Sequence, residues 1–234
     1  MKLSEKKRVS VIIPCYNEER VLSTTVEKIR KFSSSAHKYI YSFIFVNDGS
    51  RDATEFYLNE DENTKVLRNL VNKGKGYSIK KGVLASCSDY IFFIDADLSI
   101  DIEYIDKMVD ILEETDFDII IGERDLGSRS LLRKIISKYC NKIVIRELPL
   151  LKDIKDTQCG LKGFKADIAK HLFKNLKEYG FSFDIEILYN AVREGRKIYP
   201  FKVIYSDSRM VESSVNIFIE PYRFYKSIKR IKNG

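Results

Sequence analysis

The run Tyr90-Ile91-Phe92-Phe93-Ile94-Asp95-Ala96-Asp97 constrains this 234-residue chain more than any other stretch. Its apolar residues are β-rich and leave neither face polar, so the run reads as the central strand of a parallel sheet covered on both sides. It empties directly into two aspartates one residue apart. If the strand continues, its period of two points Asp95 and Asp97 the same way. Two carboxylates at one strand end repel, and a divalent cation shared with a ligand's phosphates would relieve the repulsion.

The surrounding pattern fits that reading. Apolar strands are predicted over 9–13, where Pro14 stops the first, and over 39–46, 65–70 and 118–122. Helices are predicted over 18–32, 52–58, 75–86 and 102–114, the first from the spacing of Val21, Leu22, Val26 and Ile29. Strands alternating with helices define an α/β fold, a mostly parallel sheet with helices on both faces. Ligands of such sheets bind beyond the carboxyl ends of the strands.

Composition narrows the partner. Hydrophobic residues make up 44% and charged residues 32%, ordinary values for a globular chain, and the net charge of +7 favours an anionic ligand. The basic residues form no groove-reading motif, which argues against nucleic acid. Cys15, Cys87, Cys140 and Cys159 are widely spaced, which fits neither a zinc site nor a disulfide framework and suits a reducing compartment. Met1 to Arg8 lacks the apolar core of a signal peptide, and no run of about 18 apolar residues predicts a membrane-spanning helix.

Every strand of the first half delivers polar residues to one edge. The five sets are Pro14-Cys15-Tyr16-Asn17-Glu18-Glu19, Asn47-Asp48-Gly49-Ser50, Asn72-Lys73-Gly74-Lys75-Gly76, Asp95-Ala96-Asp97 and Gly122-Glu123-Arg124. Each alone is ordinary turn or helix-start chemistry. The Lys-Gly-Lys-Gly loop has N–H groups and ammonium charge to offer a phosphate. Convergence of all five on one edge is hard to explain as turns.

These motifs, in this order, resemble the inverting family 2 glycosyltransferases with the GT-A fold, and among them the polyprenyl-phosphate sugar synthases. Asp156-Thr157-Gln158-Cys159-Gly160-Leu161-Lys162-Gly163-Phe164 and Phe181-Ser182-Phe183-Asp184-Ile185-Glu186-Ile187-Leu188 are especially similar to dolichyl-phosphate glucose synthases. The resemblance runs from about residue 8 to about residue 215. It implies a Rossmann-like single domain over 1–215 and a basic amphipathic C-terminal helix over 216–234.

The resemblance also assigns roles. Pro14, Tyr16 and Glu18 would line the nucleobase and ribose pocket, and Asp48 would accept a hydrogen bond from the base. Lys73 or Lys75 would lie near base or diphosphate. Asp95 and its neighbour Ala96 would sit on the ribose and sugar side. Asp97, with Asp95 beside it, would hold Mg²⁺ or Mn²⁺ on the departing diphosphate. Arg124 and Arg209 would hold anionic oxygens, and Asp156 and Gln158 would flank the reacting sugar. Asp97, Arg124, Asp156, Gln158 and Arg209 are thus the expected catalytic set. One departure stands out: in Ser208-Arg209-Met210-Val211-Glu212-Ser213-Ser214-Val215, Glu212 replaces the family's glycine and Val215 its lysine.

A lipid phosphate is already an anion at neutral pH, so the acceptor needs positive charge rather than a general base. Arg124, Arg129, Arg133, Lys134 and Arg209 are the candidates to hold it, and neither His37 nor His171 sits in a motif. Asp184 and Glu186 have a plainer reading as solvated helix carboxylates. The expected activity is transfer of a hexose, glucose from UDP-glucose, onto a polyprenyl or dolichyl phosphate at the cytoplasmic membrane face. The alternatives are mannose from GDP-mannose, a base-dependent transferase using Asp156 or Asp184, and a non-catalytic nucleotide-sugar-binding subunit. Basic amphipathic stretches at 128–151 and 217–232 suggest peripheral contact with an anionic membrane, with room for a membrane-protein partner, or else ordinary packing on the sheet.

Overall fold

A computed structural model describes residues 6–35, 37–124, 140–206 and 220–234. Seven strands form one sheet: β1 (Arg8–Cys15), β2 (Ile40–Asn47), β3 (Thr64–Arg68), β4 (Tyr90–Phe93), β5 (Ile119–Arg124), β6 (Lys162–Lys165) and β7 (Ile198–Val203), in the order β3-β2-β1-β4-β6-β5-β7. The helices are α1 (Glu19–Ser34), α2 (Lys75–Ala85), α3 (Tyr104–Glu114), α4 (140–147), α5 (Ala166–Lys174), α6 (Phe183–Arg193) and α7 (Glu220–Asn233), with short 3₁₀ turns at Ala53–Tyr57 and Pro149–Leu151.

Strand β4 is central. Tyr90, Phe92 and Ile94 enter the core beneath α1 and α3, while Ile91 and Phe93 enter the core on the opposite face. Phe92 and Phe93 are fully buried, and each such side chain contributes roughly 1.5–3 kcal/mol on leaving water. The helices supply matching stripes. Leu22, Thr25, Ile29 and Phe32 of α1 and Ile105, Met108, Val109 and Leu112 of α3 recur at steps of three and four and are buried. The second core is aromatic, with Phe93 packed on Phe164, Phe173 and Phe183 at centroid distances of 6.2, 6.4 and 5.6 Å.

The order of strands differs from the purely local expectation in the second half. β6 enters between β4 and β5 antiparallel to both, and β7 closes the far edge parallel to β5. β6 is four residues, Lys-Gly-Phe-Lys, too short and too polar for a hydrophobic pattern to announce it. Pro14 does not end β1, which continues to Cys15. Its missing N–H is tolerated because pairing with β4 stops at Ile12↔Phe93, leaving Pro14 opposite β2 alone.

Helix α7 packs against the domain. Ile228 and Ile231 are buried in the second core, Arg230 makes a two-pronged pair with Glu178 at 2.6 and 2.9 Å, and Lys229 and Lys232 reach Glu147 at 3.2 and 3.1 Å. The apolar stripe of the C-terminal half of α7 thus faces protein. In the other amphipathic stretch Val144, Leu148 and Leu151 are buried in the same core. The 215/216 boundary and residues 128–139 lie outside the described residues. Among those described, no helix is long and apolar enough to cross a membrane.

Candidate functional site

The strand ends are stitched to one another before any ligand is considered. The Asp48 N–H donates to the Cys15 carbonyl and the Asn69 N–H to the Asn47 carbonyl, each at 2.8 Å, tying the exits of β1, β2 and β3 in a row. Helix α1 has no capping side chain of its own. The N–H groups at its entry are met by the loop after β2 instead: Asn17 N–H donates to Ser50 Oγ, Glu18 N–H to Thr54 Oγ1 at 2.8 Å and, in the first helical residue, Glu19 N–H to Asp52. Pro14 and Glu18 are partly exposed at this junction, and Tyr16 projects from it 42% exposed.

Asp48 has a structural task that sequence reading missed. It is buried, and its carboxylate accepts from Asn69 Nδ2 at 2.7 Å, from the Lys73 N–H at 3.0 Å and from the Gly74 N–H at 2.8 Å. It therefore shapes the Lys-Gly-Lys-Gly loop from within. Gly74 stands at φ +100°, and a Cβ there would lie 2.4 Å from the Tyr179 carbonyl, so only glycine fits. The Gly76 N–H donates to that same carbonyl. Three of the loop's N–H groups, those of Lys73, Gly74 and Gly76, are thus already engaged. Lys73 Nζ donates to Tyr77 OH at 3.3 Å over its ring.

The two aspartates do not sit on a strand. β4 ends at Phe93, and Asp95 to Leu98 form a turn closed by the Leu98 N–H on the Asp95 carbonyl, with Leu98 at φ +44°. The period-two expectation of a common direction therefore does not carry past Phe93. Thr25 of α1 donates to the Ala96 carbonyl, holding the turn from below. Asp97 is buried, and its Oδ1 accepts from the Ser99 N–H at 3.0 Å. Asp95 Oδ1 is paired with the ammonium of Lys75 from α2. Burial works against the charge of Lys75, but Asp95 with Asp184, and Asp97 to a lesser degree, hold the ammonium above the ordinary lysine value.

Across the turn, Arg124 at the end of β5 grips Asp156 in a fork. Nε donates to Oδ2 at 2.7 Å and Nη2 to Oδ1 at 2.8 Å, while Nη2 also reaches the Gln158 carbonyl at 3.0 Å. Burial opposes both charges. The hydrogen bonds and attraction between the two outweigh it, so Asp156 lies below the usual carboxylate range and Arg124 is held more firmly protonated. The Arg124 guanidinium also lies 5.8 Å from the Tyr205 ring centroid. The Gln158 side chain, exposed, donates to the Phe181 carbonyl at 3.4 Å.

Beneath this surface lies a buried charge pair that hydropathy could not reveal. Lys162 of β6 is fully buried and donates to Asp184 Oδ1 at 2.8 Å and to the Cys159 carbonyl at 2.6 Å. Burial raises the Asp184 carboxyl above its ordinary range despite Lys162 and Lys75. Asp184 is therefore not a solvated helix residue but part of the foundation of the site. Glu186, also buried, instead accepts from the Lys177 and Glu178 N–H groups. The histidines are elsewhere: His37 is held by Asp106 and the Phe32 carbonyl, and His171 lies beside Glu194. Arg129, Arg133, Lys134 and Arg209 fall outside the described residues.

Gly160 seals the arrangement. A Cβ built there would stand 2.1 Å from Asp95 Oδ2, so the loop passes directly over that carboxylate. Gly160→Ala is expected to displace Asp95 and to cost about 1–3 kcal/mol of stability, readable as a lower urea midpoint.

The donor set suits Mg²⁺ or Mn²⁺ bound together with phosphates. Among the described residues no group of three or more His, Cys, Asp or Glu side chains gathers as a closed metal cage. Mg²⁺ usually takes only one or two carboxylates and completes its shell with phosphate oxygens and water. Asp97 and Asp95 on one turn match that demand.

A mostly parallel sheet whose strand ends meet at an aspartate-bearing turn is the architecture of a GT-A glycosyltransferase. The fold is similar to that of glucosyl-3-phosphoglycerate synthase from Mycobacterium tuberculosis in complex with Mn²⁺, uridine diphosphate and glucosyl-3-phosphoglycerate. The TM-score is 0.71 at 16% identity, covering 96% of this chain and 78% of that one. Residues 10–173 match the model of Glycosyl transferase family 2, and the chain belongs to that family. It is 31% identical to a dolichyl-phosphate beta-glucosyltransferase of Dictyostelium discoideum over 96% of this chain and 77% of the relative. It is 32% identical to the Drosophila melanogaster enzyme and 29% identical to the Homo sapiens enzyme of the same name, over 80% of this chain in each case. The chain spans 64% of the length of each of those two, just under two thirds.

Proposed function

We propose that the protein transfers glucose from UDP-glucose to a polyprenyl or dolichyl phosphate, with inversion, at the cytoplasmic face of a membrane and with Mg²⁺ or Mn²⁺. The observation that carries this reading is the meeting of the Asp95–Asp97 turn and the Arg124–Asp156 fork at one sheet edge, in a chain whose relatives are named for glucosyl transfer to dolichyl phosphate. A divalent ion on the donor diphosphate would neutralise the charge that develops as UDP departs. Asp97 would hold that ion, and Asp95 would lie toward the ribose and sugar. Pro14, Tyr16 and Glu18 at the β1 exit would frame the base, with Lys73 nearby.

The acceptor requires no proton removal, because a phosphate monoester is anionic at neutral pH. This agrees with the engagement of both histidines away from the strand exits. Arg124 is oriented by Asp156 to present its guanidinium to an anionic oxygen, and Arg209 is the expected second cation. Peripheral attachment to an anionic membrane would bring the lipid phosphate to this edge.

The test is transfer itself. Incubated with labelled UDP-glucose, Mn²⁺ and a short polyprenyl phosphate, the protein is expected to move label into the organic phase, and GDP-mannose is expected to be a poor donor. Label that stays aqueous with every nucleotide sugar, while the nucleotides still bind, would favour a non-catalytic binding subunit.

A further inference from the structure

The ammonium of Lys75 pairs with Asp95, while Asp184 and Asp97 add to the negative field that favours its charge, and a second lysine, Lys162, is committed to Asp184. Lys75 pairs directly with Asp95, and both side chains are only partly covered, 23% and 34% exposed. The pair therefore sits at the mouth of the site, within reach of a ligand. Asp95 has little freedom to turn away, because Gly160 lies against its carboxylate. Lys162 is fixed by Asp184 and the Cys159 carbonyl and is out of reach of solvent. Lys75 is thus the cation that can move, on a flexible four-carbon stem.

An ammonium on Asp95 and a divalent ion at the same turn repel each other. A diphosphate arriving with the ion offers the ammonium another anionic partner a short swing away. We propose that Lys75 is a placeholder cation: it balances Asp95 while the donor diphosphate and the divalent ion are absent, and turns to a diphosphate oxygen when both arrive. Asp184, held by Lys162, keeps the ammonium near the site in either position. Metal alone is then opposed by Lys75, whereas metal with diphosphate is not. Lys75 thereby couples the two ligands, and the coupling acts equally in both directions. The inference rests on the donor-site reading above.

The test is Mn²⁺ binding to the full chain, followed by the electron paramagnetic resonance signal of the free ion, with and without UDP. The wild type is expected to bind Mn²⁺ weakly alone and much more tightly with UDP. In Lys75→Met, Mn²⁺ alone should bind roughly tenfold tighter than in the wild type, and the enhancement by UDP should shrink by a similar factor. Lys75→Arg, which keeps the charge, should behave as the wild type. Thermal melting adds a second reading: metal-free Lys75→Met should melt lower than the wild type and recover more on adding Mn²⁺. Mn²⁺ binding to Lys75→Met no tighter than to the wild type would overturn the inference, as would loss of coupling in Lys75→Arg. A wild type that binds neither Mn²⁺ nor UDP would overturn the donor-site reading and the inference with it.

Discussion

Asp97→Asn is expected to lower glucosyl transfer roughly a thousandfold, since a metal on the leaving diphosphate supplies several kcal/mol of charge stabilisation and each 1.36 kcal/mol is tenfold in rate. The substitution is nearly isosteric. Its amide oxygen can still accept from the Ser99 N–H, the contact that Asp97 Oδ1 makes at 3.0 Å. The turn that closes on the Asp95 carbonyl uses backbone atoms and is untouched. The variant should therefore melt close to the wild type without ligand while losing the extra stabilisation that Mn²⁺ lends to UDP binding. Full activity in Asp97→Asn would move the metal away from this turn.

Breaking the Arg124–Asp156 fork should have the largest effect on the fold. Asp156 is almost completely buried, its side chain 9% exposed, and Arg124 is 15% exposed. Neutralising Asp156 leaves the Arg124 charge buried without its counter-ion and at least one bond of the fork unmade. Asp156→Asn should therefore cost about 3 kcal/mol and should loosen the Arg124 guanidinium, so transfer is expected to fall as well if Arg124 holds the acceptor as proposed. The pH dependence has a definite sign. The Asp156 carboxyl is depressed in the folded state, so its contribution is fully present above the unfolded value of about 3.9 and is lost as pH falls through the lower, folded value. Urea unfolding at pH 7 should separate wild type from Asp156→Asn widely. Below about pH 4 the gap should narrow, because the unfolded wild-type chain then takes up a proton at Asp156 that the folded pair still excludes. A gap that stays constant from pH 7 into that acid range would contradict the charged pairing.

Much of the first half could be read from the chain alone because each element there carries a strong local signal. Val9 to Ile13, Tyr39 to Val46 and Tyr90 to Ile94 are unbroken β-rich runs, and the stripe of α1 is clear. Local pattern says which segments are strands but not their neighbours. The antiparallel entry of β6 between β4 and β5 depends on the pairing of Phe164 opposite Ile91 and Ile119, contacts remote in sequence. The same limit hid the site's foundation. Lys162 and Asp184 look like surface residues until tertiary packing buries them against each other, 22 positions apart. Asp48 had the right motif, but its three donors from Asn69, Lys73 and Gly74 arise only because β2 and β3 exit side by side. Asp95 and Asp97 were legible as a pair. Their geometry was not, because the strand ends before them.

The central claim is a UDP-sugar site built on the Asp95–Asp97 turn, and a panel of nucleotide ligands followed by thermal unfolding tests it most directly. A ligand at a hundredfold excess over its Kd adds about 2.7 kcal/mol, roughly 5–10 °C for a chain of this length. UDP and UDP-glucose with Mn²⁺ are predicted to give shifts of that size in the wild type, GDP and GDP-mannose much smaller ones, and Asp97→Asn none that depends on Mn²⁺. Equal melting temperatures with and without every nucleotide, or a UDP shift indifferent to both Mn²⁺ and Asp97, would contradict it.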